Sequence, residues 1–456
     1  MNKKEFTRRR FIATVSAGSV AVVTPGSVFP VIGKTDSMSS KLAVLGGDPV
    51  RTKEWLTWPL AGVNQNLINE VLNTTKSGKW LRYNGDRVVT FEKEWAAMIG
   101  RKESICVNSG TSALNTAVEA LGIGPGDEVI TSPYSDIGTI MSIAVSRALP
   151  VMADLDPESY QLDPDDVERR ITPNSKAIIP VHIMGVACDM ERIMAIAKKY
   201  NLKVIEDACQ AHLAEYQGKK LGTIGDLGCF SFQASKALAS GEGGAVTGDD
   251  AELMNMAWAY KEKGYARHIK APDNAIRIGP KYRMHELEGA LLMGQLPGLE
   301  ERFEIRNRNA EYLTSKLKDI PGFVPQKKYP GTGRSTYWRY AVSYHKEHFN
   351  GADLDIVSRA IRAEGVPFTP YIRNGFHKQG PWNEYMMNKI DFKRSFSKET
   401  LKRYRDEYNY PNCDRVCNEV LAMYGMGVLL GSREDMDDIV NAVTKVYENR
   451  DQLKSV

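Results

Sequence analysis

The chain has 456 residues, of which 42% are hydrophobic, 60 are Lys or Arg and 56 are Asp or Glu. This length and composition are typical of a globular protein with more than one hydrophobic core, and they exclude a disordered chain, a collagen and a small disulfide scaffold. The net charge of +4 comes entirely from residues 1–40, because the remaining residues carry 54 charges of each sign. Residues 41–456 therefore offer no net basic field for nucleic acid or an anionic membrane.

Residues 1–40 have the pattern of an export signal. A basic stretch at residues 3–10 precedes an apolar run at residues 11–24, which is shorter than the ~20 residues of a membrane span. Residues 7–12, TRRRFI, are similar to a twin-arginine signal. We therefore predict a twin-arginine leader and a periplasmic or otherwise exported protein. An accidental arginine cluster, in a protein that stays in the cytoplasm, is the alternative.

Alternating apolar and amphipathic segments predict the fold of the next part of the chain. Helix starts are predicted at Ser109, Asp163-Pro164 and Asp189, because these residue types cap helices or occupy the first helical position. The predicted strands are 104–107, 128–132, 151–155, 177–181, 203–207, 229–232 and 244–247. This alternation predicts an α/β fold with a mostly parallel sheet, covered on both faces, whose ligands bind at the carboxyl ends of the strands.

The C-terminal part of the chain has a mixed character. A helical pattern follows Met284, is interrupted at Pro297-Gly298, and leads to a last predicted helix at 433–447. We predict a large domain at residues 41–299 and a smaller α/β domain at residues 300–456. The six cysteines include no C-x-x-C pair, so no metal site is expected.

Polar residues that can carry chemistry follow four of the predicted elements. Asn108-Ser109-Gly110-Thr111-Ser112 follows a strand and opens a helix, where backbone N–H groups and hydroxyls can bind a phosphate; the same residues are also a good helix cap. The pair Glu206-Asp207 ends a strand, so its two side chains face opposite sides of the sheet. Either carboxylate can meet a cation such as a pyridinium nitrogen, or simply cap the next turn.

The other two positions hold basic residues. Lys236 lies just past a strand and is followed by the flexible Gly241-Glu242-Gly243-Gly244 loop, and a lysine on a short tether into a closed pocket can form a Schiff base. Arg283 stands at the head of the long helix, where it could reach a substrate carboxylate or a neighbouring subunit. A solvated surface charge is the alternative for both.

In this order and spacing the motifs resemble the DegT/DnrJ/EryC1/StrS family of sugar aminotransferases, which are pyridoxal-phosphate enzymes of fold type I. The resemblance runs from about Leu42 to the C-terminus, and the stretch around Gln233, Lys236 and the glycine loop is most similar to the branch that acts on keto-cyclitols and ketosugars. It implies a seven-stranded large domain, a smaller C-terminal α/β domain, a homodimer, and amino transfer from glutamate or glutamine to a ketone.

The resemblance also implies roles for individual residues. Lys236 would bind the cofactor covalently and move the proton during amino transfer, and Asp207 would pair with the pyridinium nitrogen. The remaining implied contacts are Gly110, Thr111 and Ser231 to the phosphate, Gln210 to the ring or its phenolic oxygen, Tyr134 to the ring, and His182 and Arg283 to the substrate. A histidine packed at the end of its strand is the alternative for His182.

Three residues depart from the family pattern. Asp136 stands where the ring-stacking aromatic is usual, so either Tyr134 replaces it from two residues away or the stacking is lost. Ala237 and Lys281 stand where Asn is usual. The departures leave a second possibility, a catalytically silent protein that binds pyridoxal phosphate or a sugar as a sensor. An unrelated α/β domain with coincidental motifs is a third.

Overall fold

Seven short strands build the central sheet of the computed structural model, which describes residues 41–267, 274–388 and 390–456. The strands are β1 Glu103–Val107, β2 Glu128–Thr131, β3 Leu149–Met152, β4 Ser175–Ile179, β5 Lys203–Asp207, β6 Leu227–Ser231 and β7 Gly244–Gly248. All seven predicted strands are confirmed, with shifts of at most three residues at their ends. The predicted leader at residues 1–40 lies outside the described residues.

The strand order is β1-β7-β6-β5-β4-β2-β3. Strand β7 runs antiparallel to both of its neighbours, and the other pairs along the sheet are parallel. This confirms the mostly parallel α/β sheet. The carboxyl ends of β1, β2, β5 and β6 therefore point to the same edge, where the predicted polar residues gather.

Helices cover both faces of this sheet and continue to the C-terminus. Their bounds are α1 Gln65–Ser77, α2 Arg87–Ile99, α3 Gly110–Ala120, α4 Ile137–Val145, α5 Pro164–Arg170, α6 Met190–Tyr200, α7 Ala251–Lys261, α8 Glu286–Gln295, α9 Leu299–Leu317, α10 Leu354–Ala363, α11 Gly380–Asn388, α12 Ile390–Ser395, α13 Lys398–Lys402, α14 Pro411–Glu419, α15 Gly425–Val428 and α16 Arg433–Glu448. The predicted caps are confirmed, since the side chains of Ser109, Asp163 and Asp189 each accept a first-turn amide.

Alternation along the strands divides the core into two layers. Ile105 and Val107 pack on one face of the sheet, whereas Cys106 between them packs on the other, as a period of two requires. Both faces are apolar because helices cover both.

A second, antiparallel sheet lies in the predicted C-terminal region. Its strands are β8 Phe323–Pro325, β9 Arg339–Tyr344, β10 Thr369–Pro370 and β11 Val420–Tyr424, in the order β8-β9-β11-β10. Val342 of this sheet packs with Leu313 of α9 and Val443 of α16 in a core cluster of its own. The boundary at residue 299 stays a prediction, because the described residues pack as one compact unit.

Two features are absent from the described residues. None of the helices found there is both long and apolar enough to cross a membrane. The same part of the chain contains no cluster of three His, Cys, Asp or Glu side chains suited to a metal ion.

Candidate active site

A cavity of about 350 Å³ opens at the carboxyl ends of β1, β2, β5 and β6. Trp338 and Tyr371, from the region of the second sheet, close its other side. Six predicted site residues line it: Gly110, Thr111, Asp207, Gln210, Ser231 and Lys236. The fold therefore brings together residues that are up to 126 positions apart in the sequence.

The backbone around Lys236 is held by three aromatic side chains. The indole nitrogen of Trp338 donates a 2.8 Å hydrogen bond to the carbonyl oxygen of Ser235, and the hydroxyl of Tyr424 donates to the same oxygen. The indole nitrogen of Trp58 donates a 2.8 Å hydrogen bond to the carbonyl oxygen of Lys236 itself. These bonds fix the direction in which the lysine side chain leaves the loop.

The amine of Lys236 lies over an aromatic ring in a largely dry environment. Its Nζ is 4.1 Å from the centroid of a Trp338 ring. Burial lowers the pKa of Lys236 below 10.5, the charges of Asp207 and Asp136 oppose that change, and the charge of Arg339 adds to it. A lowered pKa leaves more of the neutral amine, which is the nucleophilic form, at neutral pH.

Asp207 presents a carboxylate to the cavity. Its Oδ2 accepts a 2.7 Å hydrogen bond from the hydroxyl of Thr139, and its Oδ1 accepts one of 3.2 Å from the amide of Cys209. The side chain is therefore oriented by two donors, while the cavity side stays open to a cationic ligand. This geometry is suited to a protonated ring nitrogen.

Glu206 faces the other side of the sheet, as the alternation predicts. It is fully buried, and its two oxygens accept hydrogen bonds from the amides of Gly222, Ile224 and Gly225 at 2.6–2.8 Å. Burial by itself raises the pKa of Glu206, but the hydrogen bonds from His182 and these amides outweigh it, so the pKa is lowered. Glu206 thus anchors the loop at residues 222–225.

His182 belongs to this buried pair and does not line the cavity. Its Nε2 lies 3.1 Å from Oε2 of Glu206, and its Nδ1 accepts a 3.2 Å hydrogen bond from the amide of Cys188. Because Nδ1 is an acceptor, Nε2 carries the proton and donates to Glu206. His182 is therefore a packed strand-end histidine, the alternative to a place near the substrate, because it pairs with Glu206 on the far side of the sheet.

The start of α3 packs closely against Ser231 and presents backbone hydrogen-bond donors to the cavity. Ser109 caps the helix by accepting a 3.0 Å hydrogen bond from the amide of Ser112. A Cβ atom at Gly110 would lie 2.7 Å from Cβ of Ser231, so only glycine allows the helix to approach that strand so closely. The first-turn amides have no acceptor within the helix, and the helix dipole favours an anion there.

Gln210 and Tyr371 connect the two sheets at the cavity. Oε1 of Gln210 accepts a 2.7 Å hydrogen bond from the amide of Met184, and its Nε2 donates one of 3.2 Å to the hydroxyl of Tyr371. The Tyr371 ring meets the Trp338 ring edge to face, with centroids 5.5 Å apart. Sequence reasoning did not assign Thr139 or Trp338 to the site.

Tyr134 and Asp136 differ in their relation to the cavity. Tyr134 is 1% exposed and packs edge to face on Tyr371, outside the cavity lining. Asp136 lines the cavity and caps α4, since its Oδ1 accepts a 2.8 Å hydrogen bond from the amide of Gly138. The departure at this position therefore places a carboxylate, and not a ring, at the cavity wall.

Arg283 also lies outside the lining of the cavity. Its Nε is 2.5 Å from Oε2 of Glu262, a carboxylate that also pairs with the buried Lys261. Its guanidinium carbon is 4.7 Å from the centroid of the Tyr83 ring. Within the described part of a single chain, the guanidinium of Arg283 is therefore paired with Glu262.

The fold agrees with comparisons to known proteins. Residues 63–443 match the model of the DegT/DnrJ/EryC1/StrS aminotransferase family. The chain is 33% identical over 435 residues to the L-glutamine:2-deoxy-scyllo-inosose aminotransferase of Streptoalloteichus tenebrarius, with 92% of this chain and 100% of that protein covered. It is also 33% identical over 421 residues to a putative L-glutamine:3-amino-2,3-dideoxy-scyllo-inosose aminotransferase of Micromonospora echinospora, with coverage of 91% and 99%.

Solved structures give the same architecture. 3-Amino-5-hydroxybenzoic acid synthase has a TM-score of 0.73 at 26% identity and covers 89% of this chain and 100% of its own. An aminotransferase from Psychrobacter cryohalolentis has a TM-score of 0.75 at 27% identity, with coverage of 87% and 99%. These neighbours confirm the predicted fold type I.

Proposed function

Because the chain belongs to the DegT/DnrJ/EryC1/StrS aminotransferase family, we propose that it uses pyridoxal phosphate to move an amino group from glutamine or glutamate to the ketone of a cyclitol or sugar. The proposal rests on one observation: Lys236, Asp207 and the start of α3 line the same cavity. The printed names of the relatives, which specify glutamine and scyllo-inosose derivatives, support the donor and acceptor classes.

The residues around the cavity fit the cofactor. The first turn of α3 and Ser231 offer donors to a phosphate, and the contact between Gly110 and Ser231 leaves no room for a side chain there. Asp207 would hold the ring nitrogen in its protonated form, and Lys236 would hold the cofactor covalently. When bound, pyridoxal phosphate supplies an electron sink next to the α-carbon of an amino acid.

The chain's own residues supply proton transfer and orientation. The amine of Lys236 removes the proton from the donor α-carbon and returns one to the acceptor carbon. The overall exchange moves an amino group and one hydrogen to the acceptor carbon and leaves the carbonyl oxygen on a 2-oxo acid, so it needs no external oxidant. Asp136, Gln233 and Glu242 line the cavity and suit an acceptor with many hydroxyl groups.

A direct assay tests the proposal. Purified protein with pyridoxal phosphate is incubated with L-glutamine and 2-deoxy-scyllo-inosose, and the amine product and the 2-oxo acid are measured by mass spectrometry. We expect both products from the natural chain and neither from Lys236→Ala, whereas Lys219→Ala, at an exposed lysine, should keep the activity. Absence of an amine product with every donor and ketone tried, from protein that keeps its cofactor, would support the sensor instead.

We further propose that the protein is exported and forms a homodimer. Arg8 and Arg9 precede an apolar run, which supports export by the twin-arginine route. An exported enzyme would act on a free ketosugar or keto-cyclitol, because nucleotide-linked sugars stay in the cytoplasm. Fusing residues 1–40 to a folded reporter tests this, and retention of the reporter in the cytoplasm would contradict it. The homodimer can be tested by light scattering on the purified protein.

A further inference from the structure

A second cavity, of about 410 Å³, lies in the C-terminal region and shares no lining residue with the cavity at Lys236. It opens between α9 and the second sheet, where Glu311 and Thr314 of α9 and Tyr340 of β9 form part of its lining. The hydroxyls of Thr314 and Tyr340 lie 3.0 Å apart and form a hydrogen bond. The proposed reaction does not use this cavity.

Much of the lining of the second cavity is apolar. Val186, Pro325 and Ala341 contribute aliphatic side chains. The rings of Tyr337 and Tyr340, which also line it, have centroids 6.1 Å apart and planes tilted by 37°. A lining of this kind favours a small molecule with an apolar part, held in place by a few polar groups.

Two side chains of opposite charge line the same cavity without pairing. Within the described part of the chain, neither the amine of Lys328 nor the carboxylate of Glu311 forms an ion pair or a hydrogen bond. The half-buried Lys328 places its Nζ 5.1 Å from the centroid of the Tyr337 ring. Burial lowers the pKa of Lys328, and the charge of Glu311 opposes that change. An amine buried without an anionic partner is unfavourable, and the carboxylate of a ligand would supply that partner.

The backbone at Tyr337 lies between this cavity and the active site. Its φ of 48° is in the left-handed region, which is unfavourable for an aromatic residue. On one side, the amide of Thr336 donates a 2.9 Å hydrogen bond to the carbonyl oxygen of Gly185. On the other side, the carbonyl oxygen of Trp338 accepts one of 2.9 Å from the amide of Gly425. Residues held in such conformations are concentrated at ligand sites, so the backbone of Tyr337 is a second observation that points to a ligand here.

We infer that the second cavity binds an α-amino acid with an apolar side chain. The ligand's carboxylate accepts from the amine of Lys328, its ammonium donates to Glu311, and its side chain packs on Tyr340. The two charges of an α-amino acid are borne by groups on one carbon, so it can bridge two side chains that do not reach each other. An apolar ligand would leave both charges without a partner. The inference is independent of the proposed function, because this site needs neither Lys236 nor a cofactor.

Calorimetric titration of the holoenzyme with L-phenylalanine tests the inference. Lys328→Met and Glu311→Gln should each weaken binding at least about tenfold, because each removes a hydrogen bond to a charged group of the ligand. 3-Phenylpropanoate, which lacks the ammonium, should bind equally well to the natural chain and to Glu311→Gln. 2-Phenylethylamine, which lacks the carboxylate, should bind equally well to the natural chain and to Lys328→Met.

Controls separate this cavity from the active site and from general effects of charge. Lys316→Met and Glu301→Gln remove exposed charges of α9 outside the cavity lining, and should bind L-phenylalanine like the natural chain. Lys236→Ala removes the reactive amine of the other cavity and should leave the effect of Lys328→Met unchanged. If Lys328→Met binds L-phenylalanine as tightly as the natural chain, or if the natural chain shows no saturable binding at millimolar concentrations, the inference is wrong. Amino transfer is measured separately, so failure of the proposed function and failure of this inference are distinguishable.

Discussion

The hydroxyl of Thr139 donates a 2.7 Å hydrogen bond to Oδ2 of Asp207, joining α4 to the end of β5. Thr139 is 1% exposed, so the bond is shielded from water. The other oxygen of Asp207 accepts the amide of Cys209. The orientation of the cavity carboxylate therefore depends on a side chain that is 68 residues away in sequence.

Replacing Thr139 by valine should weaken the site without changing the shape of the core. The substitution removes one hydrogen bond to a charged group, a loss of about 1.5–3 kcal/mol, so we expect kcat/KM for amino transfer to fall at least tenfold. Thr139→Ser, which keeps the hydroxyl, should remain close to the natural chain in steady-state kinetics. Equal activity of the valine and serine variants would show that this bond does not orient Asp207.

Gly110→Ala should weaken binding of the cofactor phosphate at the start of α3. The new methyl group would lie 2.7 Å from Cβ of Ser231 and 3.0 Å from Sγ of Cys209, and overpacking of this kind costs about 1–3 kcal/mol. We expect the dissociation constant of pyridoxal phosphate, measured by equilibrium dialysis, to rise and the free energy of unfolding to fall.

Gly124→Ala is the matched control for this change. Its Cβ would meet its nearest atom, the carbonyl oxygen of Ser146, at 3.8 Å, which is an ordinary contact. We expect no change in cofactor affinity for this variant. Identical cofactor affinities for the two alanine variants would show that the close approach of Gly110 to Ser231 does not contribute to cofactor binding.

The central sheet could be predicted from the sequence because each of its strands has a local hydrophobic pattern. Apolar runs of four or five residues, separated by capped amphipathic helices, predict a parallel sheet wherever they occur, and the order of the motifs identified the family. The second sheet has weaker signals. Thr369–Pro370 is only two residues long and pairs with Val420–Tyr424, so neither its periodicity nor its position in the chain reveals it.

The site was predictable where residues follow strands and was missed where they approach from elsewhere. Gly110 and Lys236 follow strands of the central sheet and Asp207 ends one, so their convergence could be predicted. Trp338 reaches the cavity from the C-terminal region, and nothing local marks it. Ala237, a departure from the family pattern, is buried in a cluster with Trp338 and Trp58, where its small side chain suits the packing of the two indoles.

Glu206→Gln should destabilise the fold and only indirectly affect catalysis. A glutamine NH₂ group would face backbone N–H donors, and breaking such a buried charge network costs about 3–5 kcal/mol. Because the pKa of Glu206 is lowered in the folded state, the carboxylate's contribution is complete above the unfolded value of about 4.5 and decreases as the pH falls toward the folded value.

Unfolding in urea at several pH values measures this dependence. The difference in unfolding free energy between the natural chain and Glu206→Gln should be constant at neutral pH and shrink below about pH 4.5. Glu94→Gln, at an exposed position of α2, should show little difference at any pH. A difference for Glu206→Gln that does not change in acid would mean that the carboxylate's charge is not the stabilising feature.

The pKa of Lys236 should respond in opposite directions to two of its charged neighbours, Asp207 and Arg339. Burial lowers the pKa of Lys236, the carboxylate of Asp207 raises it, and the guanidinium of Arg339 lowers it. Asp207→Asn should therefore lower the pKa further, and Arg339→Met should raise it. The measurement is the rate of acetylation of Lys236 in cofactor-free protein as a function of pH, followed by peptide mass spectrometry, because only the neutral amine reacts. The midpoint for the natural chain should lie below 10.5, with the two variants on either side of it. Shifts of both midpoints in the same direction would mean that hydration of the cavity, and not the neighbouring charges, controls this lysine.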